Sequence, residues 1–160
     1  MFLKLGKILK KRNESFYANN GFVAGIVLGI IVALFSIMTV FLFKERFFSE
    51  LSQAEKQYGK LIMLDKDSLY WLSIIVTPLV IVIVHSIIGL YIGIFINKIK
   101  ESKNIVILLA SITLGVIFGL ITRLPANRNL ILLGNIIAWV LFAIIFIYLN
   151  NRSKTQKNEV

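Results

Sequence analysis

The sequence predicts an all-α polytopic membrane protein, a bundle of four transmembrane helices with an amphipathic surface helix on its outward side. Three observations carry that prediction. Hydrophobic residues make up 58% of the 160 residues and charged residues 16%, and a soluble globule of this length has too little interior to hide so much apolar surface. The charges fall in blocks, and the apolar runs between them are long enough to cross about 30 Å of hydrocarbon with roughly 20 helical residues each. Each run also carries small residues four apart, the spacing that lets helices approach closely in lipid.

Residues 1–20 form a basic amphipathic segment. Drawn as a helix, residues 1–12 place Phe2, Leu5, Ile8 and Leu9 on one side and Lys4, Lys7 and Lys11 opposite. That pattern suits either a helix lying beside anionic lipid head groups or a basic tail that only orients the chain. A cleaved signal peptide is not expected, because the apolar run after Gly21 lasts about 23 residues, beyond the usual 7–15, and lacks a small-residue cleavage site. The first span is 21–43, closed by Lys44 and Arg46.

A loop helix over about 45–64 follows. Phe47, Phe48, Leu51, Ala54, Tyr58, Leu61 and Ile62 fall on one arc of it, while Arg46, Glu50, Gln53, Lys56, Gln57 and Lys60 take the other. It reads as a surface helix on the outer leaflet, or as a lid over a site. The second span, 69–96, is capped by Asp67 or Ser68, opened by Tyr70 and Trp71 as interfacial anchors, and closed by Asn97, Lys98 and Lys100. Pro78 is expected to kink it or to set its first turn apart. The third span, 104–122, ends at Arg123, and the link to the fourth, 130–149, is short enough to make an antiparallel hairpin. Residues 150–160 are a polar tail.

Charge orients the bundle. The amino-terminal segment, the 97–103 link and the carboxy-terminal tail carry eleven Lys/Arg against three acids, whereas 44–68 and 123–129 carry seven against five. With four spans, this bias places both termini in the cytoplasm of a cell membrane. The Lys/Asn/Ile-rich usage suits an AT-rich prokaryotic genome, hence a prokaryotic plasma membrane. The net charge of +10 is assigned to orientation and to anionic lipid rather than to nucleic acid.

Gly25 to Leu34 overlays Ser111 to Leu120 without a gap, five of ten positions being identical. Both segments lie in odd-numbered spans, which suggests two helix hairpins related as a parallel repeat. Thinner support comes from Ser86-Ile87-Ile88-Gly89 against Asn135-Ile136-Ile137-Ala138.

The small-residue rows are Gly21, Gly25, Gly29 and Ala33 in the first span, Gly89 and Gly93 in the second, Ser111, Gly115 and Gly119 in the third, and Gly134 and Ala138 in the fourth. They are read as helix-packing surfaces. A row at i, i+4 drifts by about 40° per step on a helix of 3.6 residues per turn, so one straight partner does not cover the first-span ladder. The expected neighbours are the third span and a copy of the first span across an oligomer seam. A pore or ligand wall is the remaining reading.

His85 is the one ionisable residue deep within a span, expected to be neutral and bonded to Ser36, Thr113 or Asn135. It is either structural or part of a polar site with Asn135 and Pro78, as a proton relay, gate or ligand contact. Asp65, Asp67, Arg123 and Arg128 form an outer charged cluster that clamps the last hairpin to the surface helix, or receives an anion. A cation at the acidic pair is a further, weaker reading. No metal site is expected, for want of suitable ligands, and no cofactor. The sequence has no cysteine, no Gly-rich phosphate loop, no paired intramembrane carboxylates, and no acid close enough along its helix to form a triad with His85. The function expected is therefore a non-enzymatic accessory or assembly subunit acting through helix packing, with a membrane protein or a second copy as partner. The alternative is an oligomeric transporter or channel for a small solute or lipid-like substrate, and a membrane enzyme ranks third.

Overall fold

A computed structural model describes the backbone of residues 2–58, 65–99, 103–121 and 128–158, with side chains described for 16–53, 55–57, 65–99, 103–121, 129 and 131–152. Every described element is a helix: α1 Phe2–Leu42, α2 Lys44–Tyr58, α3 Lys66–Lys98, α4 Lys103–Ile121 and α5 Arg128–Asn158. Four stretches are long and apolar enough to cross a membrane, Phe16–Leu42, Lys66–Lys98, Lys103–Ile121 and Ile131–Arg152. The protein is an all-α helical bundle of membrane-spanning type.

The helices outrun the spans read from hydropathy. At 41 residues, α1 is about 62 Å long, twice the hydrocarbon thickness. From Phe2 onward the basic segment is continuous with α1. Tyr17 and Asn20, ahead of the expected start of the first span at Gly21, are buried against other helices. Pro78 lies inside α3 without dividing it.

The most extensive interface joins α1 to α3, and the next joins α4 to α5. These are two antiparallel hairpins. They meet along α1 and α5, with only a slight contact between α3 and α4. Leu28, Ile96, Ile107, Trp139, Phe142 and Phe146 are fully buried where the four long helices converge. The outward faces stay apolar, with Leu34, Ile75, Leu79, Ile83, Leu109 and Ile117 exposed. In water such a surface would drive aggregation, whereas in a bilayer it is the lipid-facing shell.

Asn20 meets Asn150, so the start of the first span and the close of the last lie at one end of the bundle, the terminal face. At the opposite loop face, α2 follows α1 after the single residue Phe43, and helical hydrogen bonds run through the junction from Phe43 N to Thr39 O and from Phe47 N to Phe43 O. Phe47 and Phe48 pack on Tyr70, at 5.7 and 5.5 Å between ring centroids, and Lys66 bonds Ser52 and Glu55 at 2.8 and 3.2 Å. The half-buried positions Phe47, Phe48 and Leu51 lie on the predicted apolar arc, and Arg46, Glu50, Gln53, Lys56 and Gln57 are exposed. Tyr58 closes α2, and Leu61 and Ile62 lie outside the described residues. The surface helix is held to the start of α3.

Candidate functional site

The glycine ladder of α1 is spent on α3. A Cβ placed on Gly21 would meet the carbonyl oxygen of Gly89, and one on Gly89 would meet the carbonyl oxygen of Gly21. A Cβ on Gly25 would meet the backbone of His85 and Ser86, one on Gly29 would lie 2.8 Å from Val82 Cα, and one on Gly93 2.8 Å from Ala18 Cα. Steps of four along α1 are answered by steps of three or four in the opposite direction along α3. This corrects the expectation that the third span and a second copy share the ladder. One partner does follow it, because α3 carries the same kind of drifting row and the seam winds along both helices together. Continued by one step, that register sets buried Ala33 opposite Pro78.

The second hairpin repeats the device more loosely. A Cβ on Gly115 would lie 2.7 Å from Ile136 Cα, and one on Gly119 2.9 Å from Leu132 Cα, while Ser111 is fully buried. With Gly25 to Leu34 overlaid on Ser111 to Leu120, Gly115 and Ile136 take the places of Gly29 and Val82, His85 that of Trp139 and Gly89 that of Ala143. The overlay of Ser86 to Gly89 on Asn135 to Ala138 differs by five residues from the one obtained by aligning Gly29 with Gly115. Gly134 departs further from expectation, since among the described residues no atom lies within 4 Å of a Cβ placed on it, and none of them packs on it. Gly134 and Ala138 instead line a groove between α1 and α5 of about 410 Å³, together with Ile31, Val32, Phe35, Ile131, Asn135, Ile137 and Leu141.

His85 stands where the hairpins meet. Its ring stacks on Trp139 of α5 at 5.5 Å and on Phe118 of α4 at 6.4 Å, and those two rings stack on each other at 5.6 Å. Its Nδ1 lies 2.8 Å from the carbonyl oxygen of Ile81. A carbonyl only accepts, so Nδ1 carries the proton and donates it. The expected partners Ser36, Thr113 and Asn135 do not bond to it. Thr113 Oγ1 donates to Leu109 O at 2.9 Å and Asn135 Nδ2 to Ile131 O at 2.9 Å, each within its own helix. Ser73, Ser86, Ser111 and Thr39 likewise donate to carbonyls three or four residues back. His85, Pro78 and Asn135 are therefore not gathered by hydrogen bonds into one polar site.

A polar contact joins the hairpins near the terminal face, Asn20 Nδ2 donating to Asn150 Oδ1 at 2.8 Å, with both residues buried. Among the described residues, Asn150 Nδ2 is buried without a hydrogen-bond partner. Nearby, Lys103 Nζ sits 4.3 Å from the centre of the Tyr17 ring, a cation–π contact joining α4 to α1.

At the loop face, the expected cap is shifted. Asp65, rather than Asp67 or Ser68, caps α3 by accepting from Ser68 N at 2.7 Å. That backbone bond, helped by the Ser68 side chain, holds the Asp65 carboxyl below its ordinary value. Asp67 is exposed. The clamp through Arg123 and Arg128 lies outside the described side chains, although Arg128 is the first residue of α5. Among the described residues, no group of three or more His, Asp or Glu is placed to hold a metal ion.

Sequence reasoning missed Asn20, Asn150, Trp139 and Phe118. Both asparagines flank apolar runs and read as interfacial punctuation. The two aromatic residues read as bulk core, and the offset between the hairpins, which brings His85 and Trp139 to equivalent places, appears only once the glycine seams are paired. No family model, curated protein or solved structure matches this chain.

Proposed function

We propose that this protein works by contact within the cell membrane, as a non-enzymatic accessory or assembly subunit, with both termini in the cytoplasm and a membrane protein or a second copy as partner. The observation that carries the reading is how its intramembrane polar groups are spent. The hydroxyls of Ser86, Ser111 and Thr113, the Asn135 amide and the His85 ring each donate to their own helix. Their donors serve backbone carbonyls, and the lipid-facing spans present hydrocarbon. The stacking of His85 between α4 and α5 favours a structural role over a position on a solute route. The excess of Lys/Arg at the terminal face supports the orientation, and the Lys/Asn/Ile usage supports a prokaryotic source.

Extraction into native-lipid discs with a membrane-solubilising polymer tests it. The reading predicts a fixed stoichiometry with one membrane protein or one further copy, and no solute flux when the purified chain is placed in liposomes. Solute flux through an oligomer in liposomes, lost in His85→Ala or Asn135→Ala, would favour the transporter alternative instead.

A further inference from the structure

The two hairpins are stiff units joined by a softer seam. Within each, glycines set backbone against backbone, Gly21 on Gly89 and Gly25 on His85 in the first and Gly115 on Ile136 in the second, and packing that close does not deform cheaply. Between the hairpins no described glycine makes such a contact, and α3 barely touches α4. The seam of α1 with α5 also differs from end to end. From Leu28 and Phe142 to Asn20 and Asn150 it is closed, whereas toward the loop face Ile31 to Phe35 and Ile131 to Leu141 stand apart around about 410 Å³.

Each end leaves something unsatisfied. At the closed end Asn150 is 2% exposed, yet its Nδ2 finds no acceptor among the described residues. A buried N–H in that position forfeits the hydrogen bonds that water would give it. Parting this end admits water to both amides, while Lys103 exchanges its place over the Tyr17 ring for hydration. At the open end, Gly134 is the one described glycine with no atom within 4 Å of a Cβ placed on it, so α1 is free to approach α5 there as closely as the seam glycines let their partners approach. In lipid, such approach is a main source of attraction between helices. Between the two ends lie His85, Phe118 and Trp139, three rings within 22–29° of parallel. The one hydrogen bond of His85 among the described residues stays within α3, so nothing polar pins the stack, and sliding of packed elements over such a surface is an ordinary shear motion.

We propose that the bundle rocks about this stack between a terminal-closed state and a loop-closed state, in which α1 covers the α5 surface at Gly134 and the pair of Asn20 with Asn150 opens to water. One hairpin moves against the other with both glycine seams intact. The motion lies within one chain and stands apart from the contact-protein reading.

The sequence has no cysteine, so introduced pairs carry spin labels without background. Distances between them are read in the full chain reconstituted in lipid discs and diluted with unlabelled chain. Three pairs at exposed positions serve: Leu34→Cys with Leu133→Cys across the loop half, Phe22→Cys with Tyr148→Cys across the terminal half, and Leu34→Cys with Leu79→Cys within the first hairpin. The first two pairs are expected to show two distances each, and the third a single one. Gly134→Leu meets nothing in the terminal-closed state but stands in the path of α1, so it should remove the shorter loop-half distance and the longer terminal-half distance together. Asn20→Leu with Asn150→Leu removes the buried orphan and should lower the same two populations several-fold. A single distance for each of the first two pairs, populations indifferent to either set of substitutions, or two distances within the first hairpin would overturn the proposal.

Discussion

Gly25 and Gly134 are indistinguishable in the sequence, each a glycine in an apolar helix with a small residue four positions away. Their surroundings are opposite. A methyl group on Gly25 meets the His85 backbone, which cannot move without parting two helices, whereas one on Gly134 meets nothing. Gly25→Ala should therefore cost roughly 1–3 kcal/mol, as for overfilled interiors. Gly134→Ala should be neutral or gain up to about 1 kcal/mol from helix propensity. Unfolding by denaturant in mixed micelles compares the two directly. The asparagine pair gives a second contrast at this scale. Asn20→Leu alone removes the one bond that the buried Asn150 side chain makes to α1 and should destabilise, by about 1–2 kcal/mol given typical intramembrane hydrogen bonds. The double replacement Asn20→Leu/Asn150→Leu removes the orphaned amide as well and should recover most of that loss in the same assay.

The elements were legible to the extent that hydropathy governs them. All four spans follow from apolar runs bounded by charge, and the arc of α2 follows from its 3.6-residue spacing. What escaped is set by neighbours. α1 begins at Phe2 rather than near Gly21, through a stretch whose lysines and arginine mask a continuous helix. The ladder announced a close approach, but a bare row of glycines does not say which helix makes it, and the drift that seemed to demand two partners is absorbed when both helices carry it. At the loop face, Asp65 rather than Asp67 caps α3, because Ser68 N falls three residues after it. The carboxyl is held below its ordinary value of 3.8, so the cap is fully effective above that pH and is lost as pH falls through the lower folded value. Asp65→Asn should remove this contribution to the acid dependence of stability, read as a flatter melting temperature below about pH 4. A profile as steep as that of the unsubstituted chain would show that other carboxyls govern it.

At the scale of the molecule, two hairpins each close on a glycine seam, and they join through softer contacts: the His85, Phe118 and Trp139 stack, the Asn20 to Asn150 bond, and Lys103 over Tyr17. In both seams a glycine lies against the backbone of the opposite helix, Gly29 on Val82 and Gly115 on Ile136. Among the described residues the chain uses its tightest surfaces internally, leaving the lipid-facing shell, the polar face of α2 and the groove beside Gly134 open. The pairing of α1 with α3 is the claim on which the rest depends, and a double-mutant cycle in lipid tests it most directly. Gly21→Ala and Gly89→Ala each force the same two backbones apart, so the second should cost less once the first is present, with a coupling of about 0.5–3 kcal/mol, while Gly21→Ala with Gly115→Ala should be additive within about 0.5 kcal/mol. Additivity between Gly21 and Gly89, with coupling between Gly21 and Gly115, would place α1 against α4 and contradict the account.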